Sequence, residues 1–132
     1  PGESAALFSQ VDLFASLAAL AGQTLPENAA PDSRNALDVL LGKSAGGREY
    51  VVEHATNGTL SIIRDGWKYI EPHGGASYDP ETDIELGSSP EPQLYNLIDD
   101  LGEKHNLAAE QPEKVTELDA LLRQVKESAG TR

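Results

Sequence analysis

The residues of this chain that could do chemistry are few and scattered. Three histidines could transfer protons or bind a metal: His54, His73 and His105. Their spacing gives no pair on one helix, and the chain contains no cysteine to complete a zinc site or act as a nucleophile. His54 is the most informative, because it is expected at the end of a strand beside a hairpin tip. A structural or solvent-exposed role is the simpler interpretation of all three histidines.

Two acidic stretches resemble metal-binding loops only in part. The segment Asp79 to Glu85 alternates acidic with other residues, as the first ligands of a calcium loop do. Ile84 stands where such a loop needs glycine and Pro90 where it needs glutamate, so a solvated acidic loop is favoured. The pair at 99–100 favours a turn held by Asp side chains. We therefore predict no metal ligands.

Nucleotide binding is also not supported. Leu41 to Ser44 resembles the end of a phosphate-binding loop, but Leu37 occupies the position of the first required glycine. No strand is predicted before it. Taken alone, the chain therefore has no recognisable active site, and we predict no catalytic residues in it.

Two helical segments are predicted in the N-terminal third. Apolar residues recur at helical spacing from Val11 to Ala21, which predicts a helix over 9–21 with Ser9 as a cap and Gly22 as its stop. Its apolar surface is wide and carries little charge, which is typical of a helix packed on two sides. A short helix is predicted over 36–41, followed by a linker.

The remainder predicts an antiparallel sheet and a last helix. Hydrophobicity alternates with a period of two in four segments, and Asn57-Gly58 and Asp65-Gly66 are signals for two-residue hairpin turns. A helix over 111–127 follows the sheet and begins with Pro112. The predicted fold is α+β, a small four-stranded antiparallel sheet packed by a C-terminal helix. The predicted strands are Tyr50–Glu53, Leu60–Arg64, Trp67–Ile70 and Gln93–Leu97, with a long loop over 74–92.

Composition narrows the classes of partner. The chain has 132 residues and a formal net charge of −12. Nucleic acid and anionic membrane surfaces are therefore poor partners, since binding phosphates needs a stripe of basic residues. No apolar run approaches the roughly 18 residues of a membrane span.

Four stretches, in order, carry a recognisable pattern. Together they resemble the C-terminal end of the sulfatases, which are sulfate-ester hydrolases of the alkaline phosphatase superfamily. Ala15 replaces a proline that is common in the family. The stretches are residues 9–22, beginning SQVDLF; residues 32–42; residues 63–70, IRDGWKYI, the most specific; and residues 93–113, beginning QLYNL.

The resemblance implies a division of the chain and a missing catalytic apparatus. Residues 1–47 would be the tail end of the large catalytic α/β domain, and 48–132 the C-terminal sulfatase subdomain. The parent enzyme would use calcium and a formylglycine nucleophile made within a Cys/Ser-x-Pro-x-Arg motif. The nearest match, Ser88 to Pro92, ends in proline instead of arginine. We therefore predict that this chain is inactive alone, and interpret Pro1 as a cut end.

The same resemblance implies partners and a compartment. The partners would be the missing N-terminal catalytic domain and, through the parent, a sulfated small molecule or glycan. The compartment would be the periplasm or the exterior. Because hairpin tips and long loops are free to touch ligands, His54, Asn57 and His73 are the predicted substrate contacts.

An exposed outer face on the first helix would have a further consequence. We expect self-association through Leu13, Leu17 or Leu20, because exposed apolar patches recruit partners. The alternatives are a stand-alone binding module, and part of a homologue that is non-catalytic or cleaves phosphate or phosphonate esters.

Overall fold

The computed structural model describes residues 3–128, which form two compact units. Residues 3–51 belong to one unit together with 125–128, and residues 52–124 form the other. Residues 1–2, which include the predicted cut end at Pro1, and residues 129–132 lie outside the described residues. The elements are α1 (Asp12–Leu20), α2 (Leu37–Leu40), β1 (Tyr50–His54), β2 (Leu60–Arg64), β3 (Trp67–Ile70), β4 (Tyr78–Asp79), β5 (Ile84–Glu85), β6 (Gln93–Asn96) and α3 (Pro112–Glu127).

The main sheet confirms the α+β prediction. Its strand order is β1-β2-β3-β6, and β3 pairs antiparallel with both β2 and β6. Ile62, Tyr69 and Leu94 lie opposite one another across three strands and are buried. Leu118 and Leu122 of α3 are buried as well. The core of this unit therefore comes from one face of the sheet and one stripe of the helix.

The two hairpin turns differ from each other. Asp65 and Gly66 both have positive φ, 51° and 78°, and join β2 to β3 as the predicted two-residue turn. The prediction of a two-residue turn at Asn57-Gly58 is wrong, because residues 55–59 separate β1 from β2. The Asn57 Oδ1 atom accepts the Thr59 N–H at 3.0 Å, and Gly58 has φ +94°. This side-chain bond closes a wider loop than the dipeptide alone predicts.

The long segment between β3 and β6 contains structure that the sequence does not indicate. β4 and β5 form a second, two-stranded antiparallel sheet within the predicted loop. Asp83 takes φ +57° at the turn between them. Strands of two residues carry too short a pattern for hydrophobic alternation to detect.

Helix α1 buries its polar face. Asp12 and Ser16 are fully buried, whereas Leu17 and Leu20 are more than half exposed. Leu13 is half-buried. The helix begins later than predicted, with Val11 and not Ser9 as its N-cap. The described residues thus leave the apolar stripe of α1 uncovered.

Glycines shape this first unit at two kinds of position. Gly22, with φ +69°, ends α1 as predicted, and its N–H donates to the Ala19 carbonyl at 3.0 Å. Glycine is required at position 47 because the backbone of Leu7 passes close to it: a Cβ there would lie 2.4 Å from the Leu7 carbonyl oxygen. The neighbouring Arg48 N–H donates to that same oxygen at 2.8 Å.

Among residues 3–128, no helix combines the length and apolarity needed to span a bilayer.

Candidate functional site

A groove of about 560 Å³ lies on the face of the main sheet that does not form the core. Its lining includes alternate residues of the strands, as expected since successive side chains point to opposite faces. Ile70 and Gln93 are direct cross-strand neighbours, as are Lys68 and Tyr95. These four residues line the groove together with Ser61. The groove is thus floored by a mixed polar and apolar surface.

Lys68 is the charged centre of the groove. Its Nζ atom lies 2.9 Å from Glu103 Oε1 and 3.1 Å from Glu53 Oε2. The Ser61 hydroxyl donates to the same Glu53 oxygen at 3.1 Å. Burial alone would lower the pKa of Lys68, but the hydrogen bonds to Glu103 and Glu53 outweigh it, and the pKa is raised. The ammonium therefore stays charged at neutral pH.

His54 lies on the lining of this groove, at the end of β1. Its side chain is exposed, and the adjacent Glu53 belongs to the Lys68 cluster. The predicted place of His54, at a strand end beside a hairpin tip, is therefore the observed one. Its contact with a substrate stays a prediction.

Asn57 and His73 are engaged with the segment that follows β5. The Asn57 Nδ2 atom donates to the hydroxyl of the buried Ser88 at 2.5 Å. The His73 backbone N–H donates to the Ser89 carbonyl at 2.7 Å. His73 Nδ1 accepts the Gly75 N–H at 3.2 Å. Asn57 therefore holds this segment to the β1–β2 loop, and His73 holds it to the chain that follows β3. Neither residue is among those that line the groove.

The acidic stretches behave as turns. Asp79 Oδ1 accepts the Glu81 N–H at 2.9 Å. Asp100 Oδ2 accepts the N–H groups of Lys104 and His105 at 2.7 and 2.8 Å. The N–H of His105 is the main cause that lowers the pKa of Asp100. The predicted turn at 99–100 is confirmed.

Potential metal ligands do not cluster in the part of the chain that the structure describes. Across 3–128, no three carboxylate, histidine or cysteine side chains come together as a metal site would require. These residues therefore provide no ligand set for the calcium that the resemblance implies for the parent enzyme.

The first unit contains a second polar cluster, centred on Asp12. Arg48 binds this carboxylate with two atoms, Nε at 2.7 Å and Nη2 at 2.5 Å. The backbone N–H groups of Arg34 and Ser9 donate to it at 2.8 and 3.3 Å. Burial would raise the pKa of Asp12, but these hydrogen bonds and the Arg48 charge lower it overall.

Two serines extend this cluster into the loop before α2. The Ala15 N–H donates to the Ser33 hydroxyl at 2.9 Å. The Ser16 hydroxyl donates to the Asp12 carbonyl at 2.6 Å and accepts the Ala36 N–H at 2.9 Å. These bonds hold the loop before α2 to α1.

A cleft of about 330 Å³ lies beside this cluster, and Gly42 to Gly46 follows Gly-x-Ser-x-Gly spacing at its edge. A nucleophile elbow needs a strand before the serine and a helix after it. Here the segment follows α2 and precedes β1. The Ser44 hydroxyl accepts the Gly46 N–H at 3.1 Å. The context is therefore wrong for a nucleophile.

Sequence reasoning missed Lys68, Arg48 and Ser88 as organising residues. Each finds its partner far along the chain: Lys68 and Glu103 are 35 positions apart, and Asn57 and Ser88 are 31 apart. Pairs so far apart in sequence are not revealed by the periodicity of a helix or a strand. The only available signal for Lys68 was that it shares a strand face with Ile70, opposite the core residue Tyr69.

Comparison with known proteins decides the family. No family model matches the chain. It is 52% identical over 126 residues, 96% of its length, to an N-acetylgalactosamine-6-O-sulfatase of Bacteroides thetaiotaomicron. It is 34% identical over 122 residues to arylsulfatase G of Rattus norvegicus. The chain is a C-terminal sulfatase region.

Solved structures agree with this assignment. A protein solved in work on glycosaminoglycan metabolism by Bacteroides thetaiotaomicron superposes with a TM-score of 0.88 and 51% identity, over 95% of this chain. A 2-O glycosaminoglycan sulfatase shares the fold at 24% identity, with a TM-score of 0.57. The sulfatase region described here spans about a quarter of its relatives: 25% of the Bacteroides enzyme and 22% of rat arylsulfatase G.

Proposed function

We propose that this region belongs to an enzyme that hydrolyses 6-O-sulfate esters of amino sugars in glycans. The observation that carries the proposal is the 52% identity to an N-acetylgalactosamine-6-O-sulfatase, sustained over 96% of the chain. The parent enzyme would bind a sulfated sugar and release sulfate.

In the parent, the sheet and α3 would support one wall of the substrate cleft. His54 at the groove supports this role, because it is exposed and lies next to the charged cluster around Lys68. Asn57 and His73 would act at the same wall, by holding the loop in place or by touching the substrate. The chain alone would be inactive, since we assign it no nucleophile.

The reacting groups would come from the rest of the parent. Calcium and a formylglycine would supply Lewis-acid and nucleophilic chemistry there, and this chain's part would be binding and positioning. Reading the gene upstream of Pro1 tests this: an in-frame Cys/Ser-x-Pro-x-Arg motif is expected. A start codon directly before Pro1 would instead favour a stand-alone binding module.

The uncovered stripe of α1 supports a partner within the same enzyme. Val11, Phe14, Leu17 and Leu20 are each at least half exposed and recur every three residues along one face. Such a stripe is normally buried. The preceding domain of the parent would cover it. In the isolated chain we expect self-association instead, which Leu17→Glu should reduce in light scattering, and a strictly monomeric wild type would contradict it.

The full-length enzyme tests the activity. We expect release of sulfate from N-acetylgalactosamine 6-sulfate, with the 4-sulfate isomer and the matched phosphate ester as controls. The isolated 132-residue chain should release none from an aryl sulfate with calcium present. Faster cleavage of the phosphate ester would point to a different ester class, and no turnover of any ester to a non-catalytic homologue.

A further inference from the structure

The groove on the non-core sheet face has a charge pattern that does not suit a sulfate group. Lys68 is already shared by two carboxylates, those of Glu53 and Glu103. The cluster as a whole therefore carries more negative than positive charge, and a sulfate placed here would meet repulsion. The carboxylate oxygens nevertheless keep lone pairs free to accept further hydrogen bonds. The groove suits a ligand that carries hydroxyl groups and no charge.

We propose that this groove binds an uncharged sugar ring of the glycan, next to the ring that carries the sulfate. This inference rests on the proposed function, because it takes a sulfated glycan as the substrate. Sugar hydroxyls both donate and accept, so they can bond to the carboxylates and to the Lys68 ammonium. A groove of about 560 Å³ falls within the usual range for small-ligand sites, roughly 300–1,000 Å³.

The lining of the groove includes a polar group whose hydrogen-bonding capacity the described residues do not use. The Thr59 hydroxyl, at the groove lining, is buried and has no hydrogen-bond partner among the described residues. Buried hydroxyls normally find a partner. Gln93 lies on the groove floor, where its Nε2 atom is held by the Gly87 carbonyl at 2.7 Å.

One wall of the groove is fixed in advance. Leu86 and Gly87 line the groove from the loop that follows β5. The Leu86 N–H donates to the Ser77 carbonyl at 2.9 Å, and the adjacent Ser88 is bound by Asn57 at 2.5 Å. Fixing a wall before binding lowers the entropy cost of binding. Asn57 is therefore a positioning residue for this wall.

A substitution that fills the groove tests the proposal in the full-length enzyme. Leu86→Trp places a large side chain on the groove wall. We expect KM for a sulfated tetrasaccharide to rise about tenfold, the factor for one or two lost hydrogen bonds, while kcat/KM for the sulfated monosaccharide stays unchanged. The control is Ile84→Trp, since Ile84 lies two residues before Leu86, in β5, and is exposed outside the groove. Equal losses with both substrates, or no loss with either, would overturn the proposal.

A second variant, Asn57→Ala, tests the proposal if Leu86→Trp does not fold. Asn57→Ala adds no bulk and removes the bonds to the Ser88 hydroxyl and the Thr59 N–H, both of which hold residues that line or adjoin the groove. We expect a smaller rise in KM for the tetrasaccharide alone, with Asn57→Ser partly restoring it. An unchanged KM in the alanine variant would contradict the positioning role.

Direct binding separates this inference from the proposed hydrolysis. Calorimetry with the wild-type enzyme and an unsulfated disaccharide should show binding that Leu86→Trp abolishes. Binding by an enzyme that cleaves no sulfate ester would support the groove and contradict the hydrolysis. Hydrolysis without any binding of the unsulfated sugar would contradict the groove alone.

Discussion

The two ion clusters of this chain use similar residues in opposite ways. The Asp12 carboxylate is enclosed, with its side chain 1% exposed and that of Arg48 6% exposed. Lys68 is 16% exposed and its partner Glu53 is 49% exposed, beside an open groove. In the first cluster, the hydrogen bonds of the Asp12 carboxylate are made to other residues of the chain. The second leaves carboxylate oxygens facing a space that a ligand could fill.

The difference shows that a charged cluster indicates a binding role when its polar atoms keep hydrogen-bonding capacity that the chain itself does not use. At Asp12, two guanidinium bonds and two backbone N–H bonds occupy both oxygens. Such a site holds structure, because removing one partner leaves a buried charge. At Lys68, solvent weakens each interaction, so little stability is at stake and the groups stay available.

Removal of the enclosed carboxylate should have the largest effect. Asp12→Ala leaves the Arg48 guanidinium buried without a counter-charge, and we expect a loss of about 3–5 kcal/mol of stability. Urea unfolding followed by circular dichroism measures it. Asp38→Ala, at an exposed acidic residue of the same unit, is the control and should change stability little. Equal effects of the two substitutions would show that the enclosed Asp12 contributes no more to stability than an exposed carboxylate does.

The pH dependence of Asp12 should be the next largest effect. Its pKa is lowered by folding, so its contribution is fully present above the unfolded pKa, about 3.9, and is lost as pH falls through the folded pKa. The stability difference between wild type and Asp12→Asn should therefore be constant near neutral pH and shrink below about pH 4. A difference that stays constant down to pH 2 would show that Asp12 does not titrate with folding.

The hydrogen bond between β3 and α3 should rank third. The Tyr69 hydroxyl donates to Asp119 Oδ1 at 3.0 Å, and Tyr69 is buried. Burial, with the nearby Asp119 carboxylate, raises the pKa of the tyrosine. Tyr69→Phe should cost about 1–2 kcal/mol in thermal or urea unfolding. Tyr78→Phe, on the exposed two-stranded sheet, is the control, and a similar cost there would contradict the ranking.

The open cluster should show the smallest effect on stability. Lys68→Met removes the ammonium between two partly exposed carboxylates, and about 1 kcal/mol is expected after solvent screening. Folding raises the pKa of Lys68, so its contribution is present below the unfolded pKa, about 10.4, and is lost as pH rises through the folded pKa. The control is the exposed Lys104→Met. A loss as large as that of Asp12→Ala would remove the distinction between the clusters.

The sequence predicted those parts of the fold that local patterns determine. The predicted bounds of β2 and β3 match the structure, since the alternation and the Asp65-Gly66 turn that define them lie within one short segment, residues 60–70. The prediction for α3, 111–127, is also close to the observed Pro112–Glu127. In α1 the pattern indicated a helix but not which face is buried, because Asp12 and Ser16 depend on partners 20 or more positions away.

The candidate site was less predictable for the same reason. His54 was placed correctly because it ends a strand and precedes a turn. The roles of Asn57 and Lys68 depend on Ser88 and Glu103, which approach them only through the sheet and its loops. The carboxylates close together in sequence from Asp79 to Glu85 resembled metal ligands, but this stretch forms the antiparallel pair β4–β5 and the turn between its strands.

The separation of Asp12 and Arg48 along the chain has a consequence for the order of folding. Their contact closes a loop of 36 residues, whereas Arg64 and Trp67 pair across a two-residue turn. Loop-closure entropy must be overcome before a distant pair contributes its energy. We expect the β2–β3 hairpin to gain protection early in refolding and the Arg34 amide, bound to Asp12, to gain it late. Pulse-labelling hydrogen exchange would record the two times separately, and simultaneous protection would indicate a single cooperative step.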